Sequence, residues 1–281
     1  ARFSGNVPEG ARFTFPARGA KQFDAGAGKV SLAPGMNAFG PLSTLFRAAD
    51  RPAAPDTEVD WYASRIPPDA LALDVMCAYG RLLTPLVARG RKVHGVDSSA
   101  AMLARCGDKL AAGGAAAPTF RQDVAQMNLP FRYGCAFVAG EAFQLLAQPW
   151  LAAAALERIR AHLVDPGLLF VDCRVPPLAV QRLGAPLVEV RTVRLADGAQ
   201  IALRSETTWS AEARLARAAN RYAHRRGAQR LAEEHERIAW TWYPADECRD
   251  LLLAAGYRHV DIGPPAGTAD EGDAYSLIAQ A

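Results

Sequence analysis

The stretch from Leu71 to Asp97 constrains this chain more than any other. An apolar, β-rich run, Leu71 to Met76, ends at Cys77-Ala78-Tyr79-Gly80. From Arg81 to Arg89 the residues Leu82, Leu83, Leu86 and Val87 recur at helical spacing. Gly90 stops that helix, Val93 to Val96 reads as a second buried strand, and Asp97 closes it. Strand, tight loop, helix and strand make one βαβ unit of a doubly wound sheet, where ligands bind outside the carboxyl ends of the strands. Small loop residues let backbone approach a ligand, and a strand-end carboxylate can accept hydrogen bonds from ribose hydroxyls. The unit therefore points to a nucleotide-like ligand.

The same alternation continues downstream. Ser98 to Leu110 is expected to be helical, with Ser98 as N-cap and Met102, Leu103 and Cys106 on one face. Thr119 to Asp123 reads as a short third strand with an acid at its end, and Tyr133 to Ala139 as a fourth. An Ala-rich helix from Leu151 to Leu163 follows, then a turn at Pro166-Gly167 and a fifth strand, Leu168 to Cys173. Strands alternating with helices predict a parallel sheet covered on both faces. Between 187 and 242 the period changes to two: Leu187 to Leu195, a turn at Ala196 to Gly198, and Ile201 to Trp209 form a hairpin. Ala213 to Ala223 and Arg230 to Trp242 flank a turn at Arg225 to Gly227. The alanines of 211–221 suit a helix as well, and strand is preferred because Tyr222 and the tight turn demand a hairpin partner. A helix from Pro244 to Ala255 and an antiparallel pair, Tyr257 to Ile262 and Asp273 to Ala279, close the chain.

Upstream, residues 1–35 are rich in Ala, Gly, Arg and Phe, with only Glu9 and Asp24 as acids, and are expected to form a poorly ordered tail. Residues 36–68 read as a helical leader or lid: a short helix around Leu42, Leu45 and Phe46, then a second starting at Asp56-Thr57-Glu58 and stopped by Pro67-Pro68. Trp61 and Tyr62 in it either face a pocket or pack on the sheet. The expected organisation is thus a tail, a leader, and a main domain over 69–281 with an antiparallel β insert at 187–242.

Composition narrows the chemistry. Thirty-two Lys and Arg interleave with twenty-nine acids for a net charge of +3, which leaves no electrostatic footprint calling for nucleic acid. The arginines between Arg221 and Arg230 are better read as a solvated hairpin face. Cys77, Cys106, Cys135, Cys173 and Cys248 show no CxxC pairing, so neither a zinc ribbon nor a disulfide framework nor any other metal site is expected. No apolar run reaches the roughly 18 residues of a membrane helix, and no signal-peptide core stands out; the expectation is a soluble, cytoplasmic protein.

The segments DVMCAYGRLL, VHGVDSSAAML, FRQDV and FVAGEAFQLL follow one another in the order and spacing of the signature segments of class I S-adenosylmethionine-dependent methyltransferases, and YPADECRDLLLAAGYRHVDI resembles that family's last helix and strand. The resemblance covers about residues 56 to 281. It implies a Rossmann-like sheet of seven mostly parallel strands with an antiparallel last strand. With the insert it is similar to the small-molecule branch that methylates amines and amino sugars. Asp74 matches the acid near the cofactor's amino-acid end. The family's three alternate glycines fall on Met76, Ala78 and Gly80, so only the last is kept. A Cβ at Ala78 costs little only if its φ is negative. Cys77, Ala78, Tyr79 and Gly80 would line the loop. Asp97 matches the ribose acid, with helix capping as the alternative, and Ser98 follows it. Met102 matches a residue packing near adenine, or is a helix-core methionine. Asp123 and Val124 match the adenine-edge contacts, and Ala139 and Gly140 the strand end beside the cofactor. Glu141 is the candidate general base, since a carboxylate can hold and deprotonate an ammonium nucleophile; it is alternatively a helix-start glutamate. Substrate contacts are expected from Tyr62, Phe143, Gln144, Arg174, Trp240 and Trp242.

What the resemblance implies is in-line methyl transfer from S-adenosylmethionine to a nitrogen or oxygen of a small-molecule acceptor. The altered glycine loop keeps an alternative open: a methyltransferase-fold protein that binds a ligand without transferring methyl. An NAD-dependent oxidoreductase would want a GxGxxG loop, which CAYGRL is not. No membrane or nucleic-acid partner is expected, and the insert's edge strands allow a homodimer.

Overall fold

A computed structural model describes residues 39–267 and 273–281; the tail expected over 1–35 lies outside the described residues. The main sheet has seven strands in the order β10-β11-β5-β4-β1-β2-β3. They are β1 (Leu71–Val75), β2 (Lys92–Asp97), β3 (Thr119–Arg121), β4 (Tyr133–Val138), β5 (Leu163–Arg174), β10 (Arg258–Gly263) and β11 (Ala274–Gln280). β1 to β5 pair in parallel, whereas β11 runs antiparallel to both β5 and β10. The closing pair is thus antiparallel as expected, with β10 at the edge and the last strand inserted beside β5.

Central strands are continuously apolar because helices cover both faces. On one face α2 (Asp56–Arg65), α3 (Leu83–Ala88) and α4 (Ala100–Ala112) bury Val59, Tyr62, Ile66, Leu83, Leu86, Cys106 and Leu110 against Ala72, Val93, Phe137 and Phe170. Each such side chain contributes about 1.5–3 kcal/mol when withdrawn from water. α2 begins after Pro55 with Asp56 and Glu58 in its first turn and Arg65 in its last, charges that suit the helix dipole. It ends at Ile66, where Pro67 forbids continuation. α4 is capped by Ser99, whose side chain accepts from the Met102 N–H; Ser98 is exposed and outside the cap, one residue earlier than the true position. α5 (Pro149–His162) buries Ala152, Ala155, Leu156 and Ile159 and is held by the Tyr257 hydroxyl, which donates to the Leu156 carbonyl.

The second sheet is antiparallel, in the order β6-β7-β8-β9: β6 (Leu187–Arg194), β7 (Gln200–Ser210), β8 (Leu215–Arg226) and β9 (Gln229–Thr241). The ambiguous 211–221 segment resolves into a short turn and then strand, since β8 pairs along its length with both neighbours. The arginines of this hairpin lie on its exposed face and pair with acids: Arg221 and Arg230 with Glu233, and Arg226 with Asp197. β6 is an edge, with Val188 and Val190 exposed.

Helix α1 (Pro41–Asp50) ties the two sheets together. The Glu234 carboxylate accepts from the Leu42 and Ser43 N–H groups, supplying from β9 the cap that Gly40 lacks. Leu42 and Phe46 pack on Ile201, Leu203 and Tyr222, and Arg47 makes a bidentate pair with buried Glu236. Its other side places Ala48 against Tyr79 and Met102, beside the loop that follows β1. All five cysteines are buried and free. No helix among the described residues is long and apolar enough to cross a membrane, and no metal-ligand cluster occurs among them.

Candidate active site

The carboxyl ends of β1, β2 and β4 converge on the loop from Met76 to Leu82. Its backbone alternates: Met76, Ala78 and Gly80 all have positive φ, at 58, 49 and 71°. A left-handed conformation suits glycine and costs other L-residues about 1–2 kcal/mol each. Two of these three positions carry a Cβ in a backbone that suits glycine; the easy case for Ala78, negative φ, is not the one found. The intervening Cys77 and Tyr79 are buried, and burial pushes the Cys77 thiol well above the usual range. Replacing Ala78 by Gly should release this strain, less the entropy a glycine costs, for a net gain of up to about 1 kcal/mol. Urea unfolding of Ala78→Gly checks it; a loss of stability would place Ala78 outside the left-handed region.

Asp97, at the end of β2, holds the loop from the side. One carboxylate oxygen accepts the Ala78 N–H at 2.9 Å and the other the Ser99 N–H at 2.8 Å. Burial pushes its carboxyl upward against these backbone donors. It thus both stays at the loop and caps the approach to α4. Asp123 is exposed after β3 and accepts from the Ala125 N–H, next to buried Val124. Met102 is buried beside Tyr79 and Ala48. Asp74 is buried at the end of β1; burial drives its carboxyl well above the ordinary range, opposed by the nearby Arg81 guanidinium.

At the end of β4, past Ala139, Gly140 and Glu141 are consecutive left-handed residues. Glu141 is ion-paired with Arg174 at 2.7 Å, both side chains about half exposed. The turn is held from below by Asp172 of β5, a residue the sequence reading passed over. Its carboxylate accepts from the Gly140 N–H (3.2 Å), the Tyr62 hydroxyl (2.6 Å) and the Ser276 hydroxyl (2.6 Å). An acid inside the apolar run Leu168 to Cys173 was the available signal.

Four of the expected substrate contacts, Tyr62, Phe143, Gln144 and Trp242, are buried. Tyr62 is fully buried, with its ring on Phe137 and Phe170 and its hydroxyl on Asp172, so it packs on the sheet. Phe143 lies in the core against Tyr243. Gln144 spends its amide on the backbone of Arg174 and Thr241, joining β5 to β9. Trp242 is buried against Trp209, and Trp240, half-buried, meets the same ring edge-on. Arg174 alone of the set is exposed and beside Glu141.

Residues 72–167, from β1 into β5, match the family described as a methyltransferase domain. No curated protein matches the chain, but solved structures do. It is similar to an S-adenosylmethionine-dependent methyltransferase from Clostridium acetobutylicum, at 13% identity over 84% of this chain and 96% of that one, with a TM-score of 0.69. The sugar N-methyltransferase KedS8 from Streptoalloteichus is 21% identical over 80% and 86%, with a TM-score of 0.63. The amino pentose methyltransferase CalS10 from Micromonospora echinaspora is 24% identical over 79% and 89%, with a TM-score of 0.58. At these identities the likeness is one of fold, and the fold is the class I methyltransferase sheet with an added antiparallel layer. At the carboxyl ends of the main sheet, Asp74, Asp97 and Asp123 lie on the β1 to β3 side, and Glu141, Asp172 and Arg174 on the β4 and β5 side.

Proposed function

We propose that the protein binds S-adenosylmethionine at the loop from Met76 to Gly80 and transfers its methyl group to a nitrogen or oxygen of a small molecule, an amine being the first acceptor to test. The observation that carries this reading is the left-handed backbone at all three alternate loop positions, clasped by Asp97, although two of them carry side chains. A loop released from ligand binding would have no reason to bear that strain.

The donor set fits the cofactor. Asp97, which accepts the Ala78 and Ser99 N–H groups on separate oxygens, keeps acceptor capacity for a ribose hydroxyl. Asp123 is exposed and has acceptor capacity left for an exocyclic amine. S-adenosylmethionine supplies a methyl group already activated on a sulfonium. The protein is left chiefly with holding the reactants in line. Glu141, fixed by its left-handed backbone and by Arg174, can hold an ammonium group and accept its proton. Asp172 sets where Glu141 begins, through the Gly140 N–H.

Calorimetric titration with S-adenosylmethionine tests the cofactor: micromolar binding is expected, weakened at least about tenfold in Asp97→Ala. A folded wild-type protein that shows no binding heat would favour the repurposed-fold alternative. With binding established, transfer of labelled methyl to a panel of amines and phenols, alongside Glu141→Gln, tests the chemistry. Loss of turnover in Glu141→Gln with unchanged cofactor affinity is the expected outcome.

A further inference from the structure

We infer, independently of the cofactor reading above, that the outer face of the second sheet is a docking surface for an acidic protein. The inner face of this sheet is spent on the fold: Ile201, Leu203 and Tyr222 pack against α1. The alternate residues of each strand point the other way, and the register of the strands sets them in rows. One row runs Val190, Arg204, Arg221 and His235, and the next Val188, Glu206, Ala219 and Arg237. Arg194, Arg225 and Arg230 stand at one end of the face, and Arg217 at the other. All seven arginines are exposed. They share the face with two acids, Glu206 and Glu233, a surplus of five positive charges on a chain whose whole net charge is +3.

The face does not satisfy its own charge. Arg204 lies directly opposite Arg221, and Arg225 opposite Arg230, an arrangement of like charges that costs a sheet stability. Both acids are already taken, Glu206 by Arg204 and Glu233 by Arg221 and Arg230. Arg194, Arg217, Arg225 and Arg237 have no acid partner among the described residues. Carboxylates brought from outside would relieve both conditions, and a guanidinium fork takes a carboxylate with two bonds at a time. Charge also says what does not sit here. The same face of a second copy would repel it, and residues 1–38 carry five Lys or Arg against Glu9 and Asp24. No Phe, Tyr or Trp lies on the face to stack the bases of a single strand. Four strands spaced about 4.8 Å apart are too wide for the roughly 12 Å major groove of a duplex. Val188 and Val190, exposed beside the arginines, add apolar surface, and arginine is among the residues enriched where proteins meet.

Fluorescence anisotropy of labelled poly-L-glutamate at low ionic strength, titrated with the whole protein, is the test. Wild type should bind, and added salt should weaken the binding. The face variant Arg194→Gln/Arg217→Gln/Arg225→Gln/Arg237→Gln should weaken it at least about tenfold. A control removes the same charge from exposed residues elsewhere, Lys92→Gln/Arg132→Gln/Arg158→Gln/Arg182→Gln, and should bind as wild type does. In urea the face variant should be at least as stable as wild type, since it relieves like-charge contacts. No binding by wild type, or equal weakening in the face variant and the control, would overturn the inference by reducing the patch to a solvated surface. So would a face variant less stable than the control, because its arginines would then be supporting the sheet. Tighter binding of duplex DNA or of phosphatidylserine vesicles than of polyglutamate would also overturn it, in favour of a nucleic acid or a membrane.

Discussion

Asp172→Ala is expected to lower the unfolding free energy by about 3–4 kcal/mol at neutral pH, among the largest effects of any single substitution at the site. The carboxylate is the shared acceptor for three donors from three elements: Tyr62 of α2, Gly140 after β4, and Ser276 of β11. Truncation strands all three in a dry region, and each buried unmet donor costs about 1–3 kcal/mol before relaxation or water entry reduces it. Asp172→Asn keeps one carbonyl oxygen for Tyr62 and Gly140 and can donate to the Ser276 hydroxyl, so its cost should be nearer 1 kcal/mol. Tyr62→Phe removes one donor and leaves the carboxylate otherwise intact. In Tyr62→Phe combined with Asp172→Ala, the two losses should be clearly less than additive, because the second removes a group already without its partner. Urea unfolding of wild type, the three single variants and the double variant decides it. Near-additive losses, or a cost for Asp172→Ala below about 1 kcal/mol, would mean the three donors find other acceptors.

Why Asp172 escaped the sequence, while Asp74 and Asp97 did not, is a matter of periodicity. Asp97 sits at a strand end next to a loop, where alternation of strand and helix already says that ligands gather, and Asp74 was picked out by the family resemblance. Asp172 lies within an apolar strand, two residues before its end, and its partners come from positions over a hundred residues away in two of three cases. No local pattern encodes such a contact. The centre of the main sheet was legible for the complementary reason: strands such as β1 and β4 are buried on both faces and read as apolar runs. The second sheet was legible from period two, except in 211–221, where alanine suits either state and only pairing with β7 and β9 decides. Leader helix α1 shows the limit most plainly. Its apolar residues announced a helix, yet its N-terminus is capped by Glu234, far along the chain. Tyr62 likewise offered an aromatic ring on an amphipathic helix, a pattern that does not say whether the ring faces a pocket or the sheet.

Asp74→Asn should stabilise the protein at neutral pH, and the sign follows from the direction of the shift. Burial raises the Asp74 carboxyl well above its ordinary range, with the nearby Asp97 and Glu58 carboxylates adding to the rise and Arg81 opposing it. An acid whose folded value exceeds its unfolded one holds its proton more tightly when folded. The folded state therefore loses stability as pH climbs from the unfolded value, about 3.9, through the raised folded value, and the penalty is complete above it. Asparagine has no charge to desolvate and still offers an oxygen to the Leu83 N–H that Asp74 accepts. The advantage of Asp74→Asn over wild type should accordingly be close to nil near pH 4, grow as pH rises, and then level off. Urea unfolding at a series of pH values from 4 to 8.5 measures it; an advantage that is flat or shrinks with pH would show that Asp74 is not a destabilised buried anion. The same variant should bind S-adenosylmethionine at least about tenfold more weakly, since it removes the charge that would meet an ammonium group. A residue that costs stability in the resting protein and is needed only when a cation arrives is what a binding acid looks like, because a site that already satisfied its own charge would have nothing to offer the ligand.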